Sequence, residues 1–279
     1  MTASGSAAAP RRFSRAGERR RIAFRALGVQ AVWNYDTLQA VGFAWSLLPG
    51  LERIYPDRAE RAGRVLAHLD LINANPYLST LGLGVALRLE QEVARDPAIA
   101  GPRQARLLKA LNGPLGALGD ELFWGAWRPA LGLTAALFAL ATMSVWPALI
   151  FLVAFNGLAQ SVRFGGVRAG FAGGAGIARV LRDPFWRRAT GRARTLGAVA
   201  AGAAFGAGLV WAGTAAGDLG WRDADGAWAW ASAAAFALSV FLLVLGARGG
   251  RGERPLVPVL ALLVLLAACS ALVQAGGGG

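Results

Sequence analysis

The sequence predicts an all-α polytopic membrane protein, with re-entrant or broken helices in the N-terminal half and transmembrane helices in the C-terminal half. Three observations carry that reading. The chain of 279 residues is 55% hydrophobic and only 16% charged, whereas soluble domains are nearer a quarter charged. Its arginines gather between apolar blocks, as orientation signals do. Its apolar runs are punctuated by Pro, Gly and amides up to Pro129 and are much cleaner beyond.

Charge excludes less than it first suggests. A formal net charge of +13 fits either nucleic acid or an anionic surface. No basic face is interleaved with base-stacking aromatics, so nucleic acid is excluded as a partner and the bilayer is retained. One histidine and one cysteine are too few for the usual His/Cys metal cages, and no cofactor is expected. Cys269 reads as a small packing residue. No apolar signal-peptide core precedes Arg25, so insertion is expected to rely on an internal span.

Residues 1–21 are expected to form a disordered basic tail, and residues 22–279 one membrane domain divided into 22–129 and 130–279. Arg11, Arg12, Arg15, Arg19, Arg20, Arg21 and Arg25 place the N-terminus in the cytoplasm and attract anionic headgroups, at roughly 1 kcal/mol per nearby charge. From Ile22 to Leu51 the apolar pattern is interrupted by Gln30, Asn34, Asp36 and Gln39 and stopped by Pro49-Gly50. Neither half reaches the ~20 residues a span requires, which predicts amphipathic or re-entrant helices. Pro56-Asp57 opens a helix with Ala62, Val65, Leu66, Leu69 and Ile72 at three- and four-residue intervals, and Asn73-Ala74-Asn75-Pro76 breaks it. Tyr77–Leu89 is again too short to cross alone and ends at Glu90-Gln91-Glu92. A short helix around Gln104–Leu111 leads into Gly113–Pro129, where two prolines, four glycines, Asp120, Glu121 and Arg128 sit among Leu, Phe and Trp. Such a mixture reads as irregular backbone at membrane depth, sheltered by protein, the break of a discontinuous helix.

Leu131–Ala154 is apolar throughout, with Pro147 marking a kink or the turn of a hairpin. Gly166-x-x-x-Gly170-x-x-x-Gly174 puts small residues on one helix face and permits close packing. Its glycines follow no strand, so a dinucleotide-binding loop is excluded. Arg179, Arg182, Arg187, Arg188, Arg192 and Arg194 form a basic cytoplasmic loop, followed by spans at Thr195–Ala216, Trp228–Ala247 and Leu256–Ala275.

Several stretches, taken in order, resemble one family. They are Gln30-Ala31-Val32-Trp33-Asn34-Tyr35-Asp36 through Phe43, then Pro49, Tyr55-Pro56, His68-Leu69-Asp70-Leu71-Ile72-Asn73-Ala74-Asn75-Pro76-Tyr77, Leu89-Glu90, Gly113-Pro114-Leu115, Gly119-Asp120, Phe123-Trp124 and Arg128-Pro129. Together, from about Arg25 to Arg163, they resemble the IID component of the mannose/fructose/sorbose-type sugar phosphotransferase system. The resemblance implies a membrane subunit of a sugar permease in the bacterial inner membrane. It would work with a IIC subunit, as a trimer of IIC–IID pairs, and pass a hexose-like sugar to soluble IIA and IIB proteins that carry phosphate on histidine. A glutamate of the family stands here as Asp36, one methylene shorter. The alternative is a non-transporting regulatory or receptor protein on the same scaffold.

The candidate substrate-binding residues are Gln30, Trp33, Asn34, Asp36, His68, Asn73, Glu90 and Asp120. Asp120 should face a cavity or partner rather than lipid, because an acid near the bilayer centre costs about 2.5–3.5 kcal/mol; it could equally cap the following helix or pair with Arg128. Planar amides bond ring hydroxyls in pairs and an indole stacks on a pyranose face, which suits Gln30, Trp33 and Asn34; the alternative is a membrane-surface anchor. Glu90 either accepts hydroxyl donors or ends its helix in water, and Asn73 either caps a half-helix or holds a hydroxyl. His68 lies between Ala67 and Leu69 beside broken apolar segments, unsuited to a phosphoryl acceptor, and is expected to bond sugar or Asp36. No catalytic residue is assigned to this chain.

Overall fold

Residues 16–99 and 102–218 are described by the computed structural model, and the regular elements among them are helices, with only isolated bridges at Asn34–Leu38 and Leu38–Ile72. The expected spans Trp228–Ala247 and Leu256–Ala275, Cys269 and tail residues 1–15 lie outside the described residues. Two compact units are formed, one from residues up to Phe123 with Asn156–Trp186, the other from Trp124–Phe155 with residues from Arg187 onward.

In the first unit, α1 (Ala16–Arg25) makes part of the expected tail helical and buries Ile22 and Ala23. A turn-rich segment follows, and α2 (Ala40–Ile54) then runs straight through Pro49, the expected stop. Proline has no N–H to give the carbonyl four residues back, at Trp45. Arg25 Nη1 donates to that carbonyl at 3.1 Å, and its guanidinium lies 5.0 Å from the Trp45 ring centroid. A buried face of Phe43, Leu47, Leu51 and Ile54 holds the rest of α2 in register. Helix α3 (Arg58–Leu66) starts where expected: Asp57 accepts from the Glu60 N–H at 2.8 Å. It ends at Leu66, with no buried residue of its own.

Helix α4 (Ser79–Val93) is the centre of this unit. Ser79–Leu87 are buried without interruption, so the helix is enclosed all round rather than amphipathic. It does not end at Glu90-Gln91-Glu92 but carries Glu90 into the interior. Its core partners are Ile22, Ala26, Phe43, Leu47, Leu51, Tyr55 and Val167; burying each large apolar side chain contributes about 1.5–3 kcal/mol. The small-residue stripe completes the enclosure. On α7 (Trp146–Gly173), a Cβ added at Gly166 would overlap Thr80, and one at Gly170 would overlap the Leu81 carbonyl oxygen. Gly84 of α4 returns the contact against Val167 and Phe171. Backbones approach this closely only without side chains between them.

Helix α5 (Pro102–Gly119) passes through Pro114 and leads into an eight-residue π-helix, Asp120–Trp127. The expected interruption of the helix is thus a widening of it. Pro129 lacks the N–H that an unbroken α-ladder takes at that point, and the change of winding falls just before it.

A one-turn helix, α8 (Ala178–Leu181), and the first residues of α9 (Pro184–Asp218) still belong to the first unit, while the second contains α6 (Arg128–Thr142), the start of α7 and α9 from Arg187 onward. Between the first two, Met143 adopts a left-handed conformation (φ 47°) and closes a helical hairpin, the second of the two readings of Pro147. Arg128 lies 5.4 Å from the Trp124 ring centroid, Trp124 packs on Phe155 and Phe155 stacks on Phe151. Gly197 of α9 rests against Ala130. Four of the arginines expected in a basic loop, Arg187, Arg188, Arg192 and Arg194, instead occupy the first turns of α9. Phe138, Leu140, Trp146, Ile150 and Val153 are exposed. Trp146–Gly176 is one helical stretch among the described residues long and apolar enough to cross a membrane, with 31 residues and a mean hydropathy of 1.4.

Candidate functional site

The irregular segment between α3 and α4, Ala67–Leu78, makes polar contacts in four directions. It cannot be helical at its end, because Pro76 disfavours helical geometry in Asn75 and supplies no donor of its own. Its free backbone groups therefore seek partners elsewhere, and these contacts, with those of its own side chains, define the candidate site.

At its N-terminal end His68 is 3% exposed and Glu90 is fully buried. His68 Nε2 lies 2.8 Å from Glu90 Oε1, so Nε2 carries the proton, a carboxylate being an acceptor only. Arg64 binds the same carboxylate through both oxygens, Nη2 to Oε1 and Nε to Oε2, each at 2.7 Å. The Tyr55 hydroxyl is within 2.9 Å of both Oε2 and the Glu90 carbonyl. Burial would by itself raise the Glu90 carboxyl, but the hydrogen bonds from His68 and Arg64 and their charge outweigh it and hold the group at about 2. Burial, reinforced by the Glu90 charge, pushes the Tyr55 phenol above its ordinary range. Glu90 is thus an interior anion neutralised by Arg64, and it does not end its helix in water. His68 contacts Glu90 rather than Asp36, leaving its Nδ1 buried without a partner.

In the middle of the segment, Gln39 is 3% exposed and pairs with the Ala74 backbone through both ends of its amide, Nε2 to the carbonyl at 2.8 Å and Oε1 from the N–H at 3.3 Å. The N–H of Ile72 gives to the Thr37 carbonyl, and that of Gln39 to the Ile72 carbonyl. These bonds attach the turn holding Gln30, Trp33, Asn34 and Asp36. Within the turn, Asn34 Oδ1 accepts from the N–H groups of Asp36 and Thr37 at 3.0 and 2.8 Å, which shapes the loop. Gln30, Trp33 and Asp36 are exposed, and Trp33 meets Tyr35 edge to face.

At the C-terminal end Asn75 is 2% exposed, and its Nδ2 donates to Asp120 Oδ1 at 2.8 Å. Its own Oδ1 accepts from the Tyr77 N–H at 3.0 Å. Gly119 makes the approach possible, since a Cβ there would overlap the Asn75 side chain. Asp120 itself is exposed at the first turn of the π-helix, as is Asn73 on the junction. Arg163 of α7 stands over the Tyr77 ring and gives Nη2 to the Pro76 carbonyl at 3.3 Å.

The structure therefore brings His68 directly to Glu90 and ties the Gln30–Asp36 turn and Asp120 to the same segment. It adds Tyr55, Arg64, Gln39 and Asn75, which the sequence reading did not single out. Arg64 and His68 are four residues apart in what reads as one helix, a spacing that puts side chains on one face and was the available signal for Arg64. Nothing local marks Gln39 or Asn75, whose partners lie 35 and 45 residues away. Among the described residues no cluster of His, Cys, Asp and Glu could hold a metal ion.

Residues 15–210 match the family of PTS system mannose/fructose/sorbose IID components. The mannose-specific EIID component of Escherichia coli (strain K12) is 33% identical over 175 residues, which are 62% of this chain and 62% of the relative. The fructose permease IID component of Bacillus subtilis (strain 168) is 29% identical, over 61% of this chain and 62% of that one. The match thus spans less than two thirds of these relatives' length. Two solved structures are similar: the mannose transporter ManYZ in complex with microcin E492, at 29% identity and TM-score 0.54 over 69% of this chain and 70% of that one, and a membrane protein at 32% identity and TM-score 0.60 over 67% and 68%. The family match covers the junction, both of its ends and the small-residue stripe, and the chain belongs to the PTS mannose/fructose/sorbose IID family.

Proposed function

We propose that this chain is the membrane subunit of a phosphotransferase-type sugar permease. It translocates a hexose-like sugar together with a IIC subunit, as a trimer of IIC–IID pairs, while separate IIA and IIB proteins carry the phosphoryl group. The observation that carries the reading is the continuity of the family match over residues 15–210. The ManYZ likeness supports pairing with a second membrane chain.

On this reading the protein sits in the bacterial inner membrane with its N-terminus cytoplasmic, residues 22–129 form the re-entrant half, and residues 130–279 supply the spans. The exposed apolar side chains of α6 and α7 support lipid contact, since a water-facing surface does not carry Phe138, Leu140, Ile150 and Val153 in such density. Asp120, Asn73, Gln30, Trp33 and Asp36 are the exposed members of the candidate set and meet the sugar. His68 and Glu90, satisfied by each other and by Arg64, are positioning residues that fix where the junction lies. Phosphoryl transfer is left to the soluble partners. A pull-down of the full chain from mildly solubilised membranes, read by mass spectrometry, should recover a IIC-like companion in about equal amount; recovery of this chain alone would contradict the reading.

A further inference from the structure

A second site lies away from the junction, between α1 and α2. A cavity of about 500 Å³ is lined by Arg20, Arg21, Phe24, Arg25, Pro49 and Glu52. Three arginines and one glutamate are among its lining residues, so the lining carries a net positive charge. Arg25 is held in place by the Trp45 carbonyl and ring. Phe24, in the cavity lining, is 67% exposed, Trp45, which Arg25 covers, is 47% exposed, and Leu27, one turn on from Phe24, is 46% exposed. Two kinds of surface thus meet within one helix and its neighbour. Arginines offer forked donors to phosphate oxygens, and Phe, Leu and Trp are the residues that settle among acyl chains at a bilayer surface. Free phosphate would use the arginines and leave the apolar rim uncovered.

We infer that the Arg20–Arg21–Arg25 cavity is a binding site for the phosphate of an anionic phospholipid headgroup, with Phe24, Leu27 and Trp45 dipping into the adjoining acyl region. The inference rests on the membrane placement proposed above. The site docks α1 against the bilayer, and through Arg25 it also supports the proline-interrupted turn of α2.

The test is native mass spectrometry of the full chain, released from nanodiscs containing equal phosphatidylglycerol and phosphatidylcholine. The parent should retain phosphatidylglycerol preferentially, and a large excess of inorganic phosphate should not displace it. Arg20→Gln with Arg21→Gln should lower that preference on the order of tenfold. Arg187→Gln with Arg188→Gln, which removes the same charge from α9, should leave the preference intact, and Glu52→Gln should raise it. Equal loss of preference in the two double variants, or displacement by inorganic phosphate, would overturn the site. Retention of both lipids without preference overturns the site while sparing the membrane placement, whereas a chain that holds neither lipid contradicts both.

Discussion

At Glu90 a single carboxylate gathers Tyr55, Arg64 and His68 from three different parts of the chain. A buried carboxylate is costly unless its lone pairs are taken, and here three donors take them. Glu90→Gln leaves Arg64 without its charge partner. The expected loss is about 3 kcal/mol, the low end for a broken buried pair because Arg64 keeps 20% exposure. Thermal melting in detergent measures it. The acid dependence follows from the depressed pKa. The unfolded carboxyl titrates near 4.5 and the folded one at about 2, so this stabilisation is complete above the first value and is lost as pH falls through the second. The parent should lose melting temperature between those pH values, and Glu90→Gln should lose much less. An unchanged melting temperature in the variant would mean that the pair contributes nothing.

Among the elements, α4 depends on close approach more than on side-chain volume. Gly170 and Gly166 let α7 lie against the Thr80–Gly84 turn, where an added side chain would meet the Leu81 backbone at Gly170 and the Thr80 side chain at Gly166. Gly170→Val should therefore prevent accumulation of folded protein, read by size-exclusion profile and protein level in membranes. Gly165→Ala is the control: an added Cβ there meets nothing within 4 Å, and replacing a helical glycine should be neutral or stabilise by about 0.5–1 kcal/mol. If both variants behave alike, the stripe does not pack as described. The helix opened at Asp57 follows from local chemistry and was readable in sequence, but it ends at Leu66, short of Leu69, Ile72 and the expected break at Asn73–Pro76, because the chain from Ala67 onward takes its partners from other elements. The passage of α2 through Pro49 was not, because the compensating donor, Arg25, comes from another helix. The π-winding at Asp120–Trp127 was visible as an anomaly of composition but not as a geometry. Turn widening depends on how neighbouring helices hold the chain, which spacing does not encode.

For the whole molecule, the candidate site was half legible. Polar residues within broken apolar segments marked Gln30–Asp36, His68–Asn73, Glu90 and Asp120, and the structure connects them through one segment. Their division into buried support and exposed contacts depended on three-dimensional closure: Glu90 and Asn73 look alike in sequence, yet one is sealed and the other faces outward. On the proposed function the chain is required for sugar passage, and the exposed carboxylate held by Asn75 takes part. The decisive measurement is uptake of labelled hexose in cells that keep the IIC partner but lack this protein and are complemented with the parent or with Asp120→Asn at matched abundance. Deletion should abolish uptake and the parent should restore it. Asp120→Asn should restore roughly a tenth, as loss of a hydrogen bond to a charged group implies. Uptake that is unchanged on deletion would rule out a role of this chain in sugar passage.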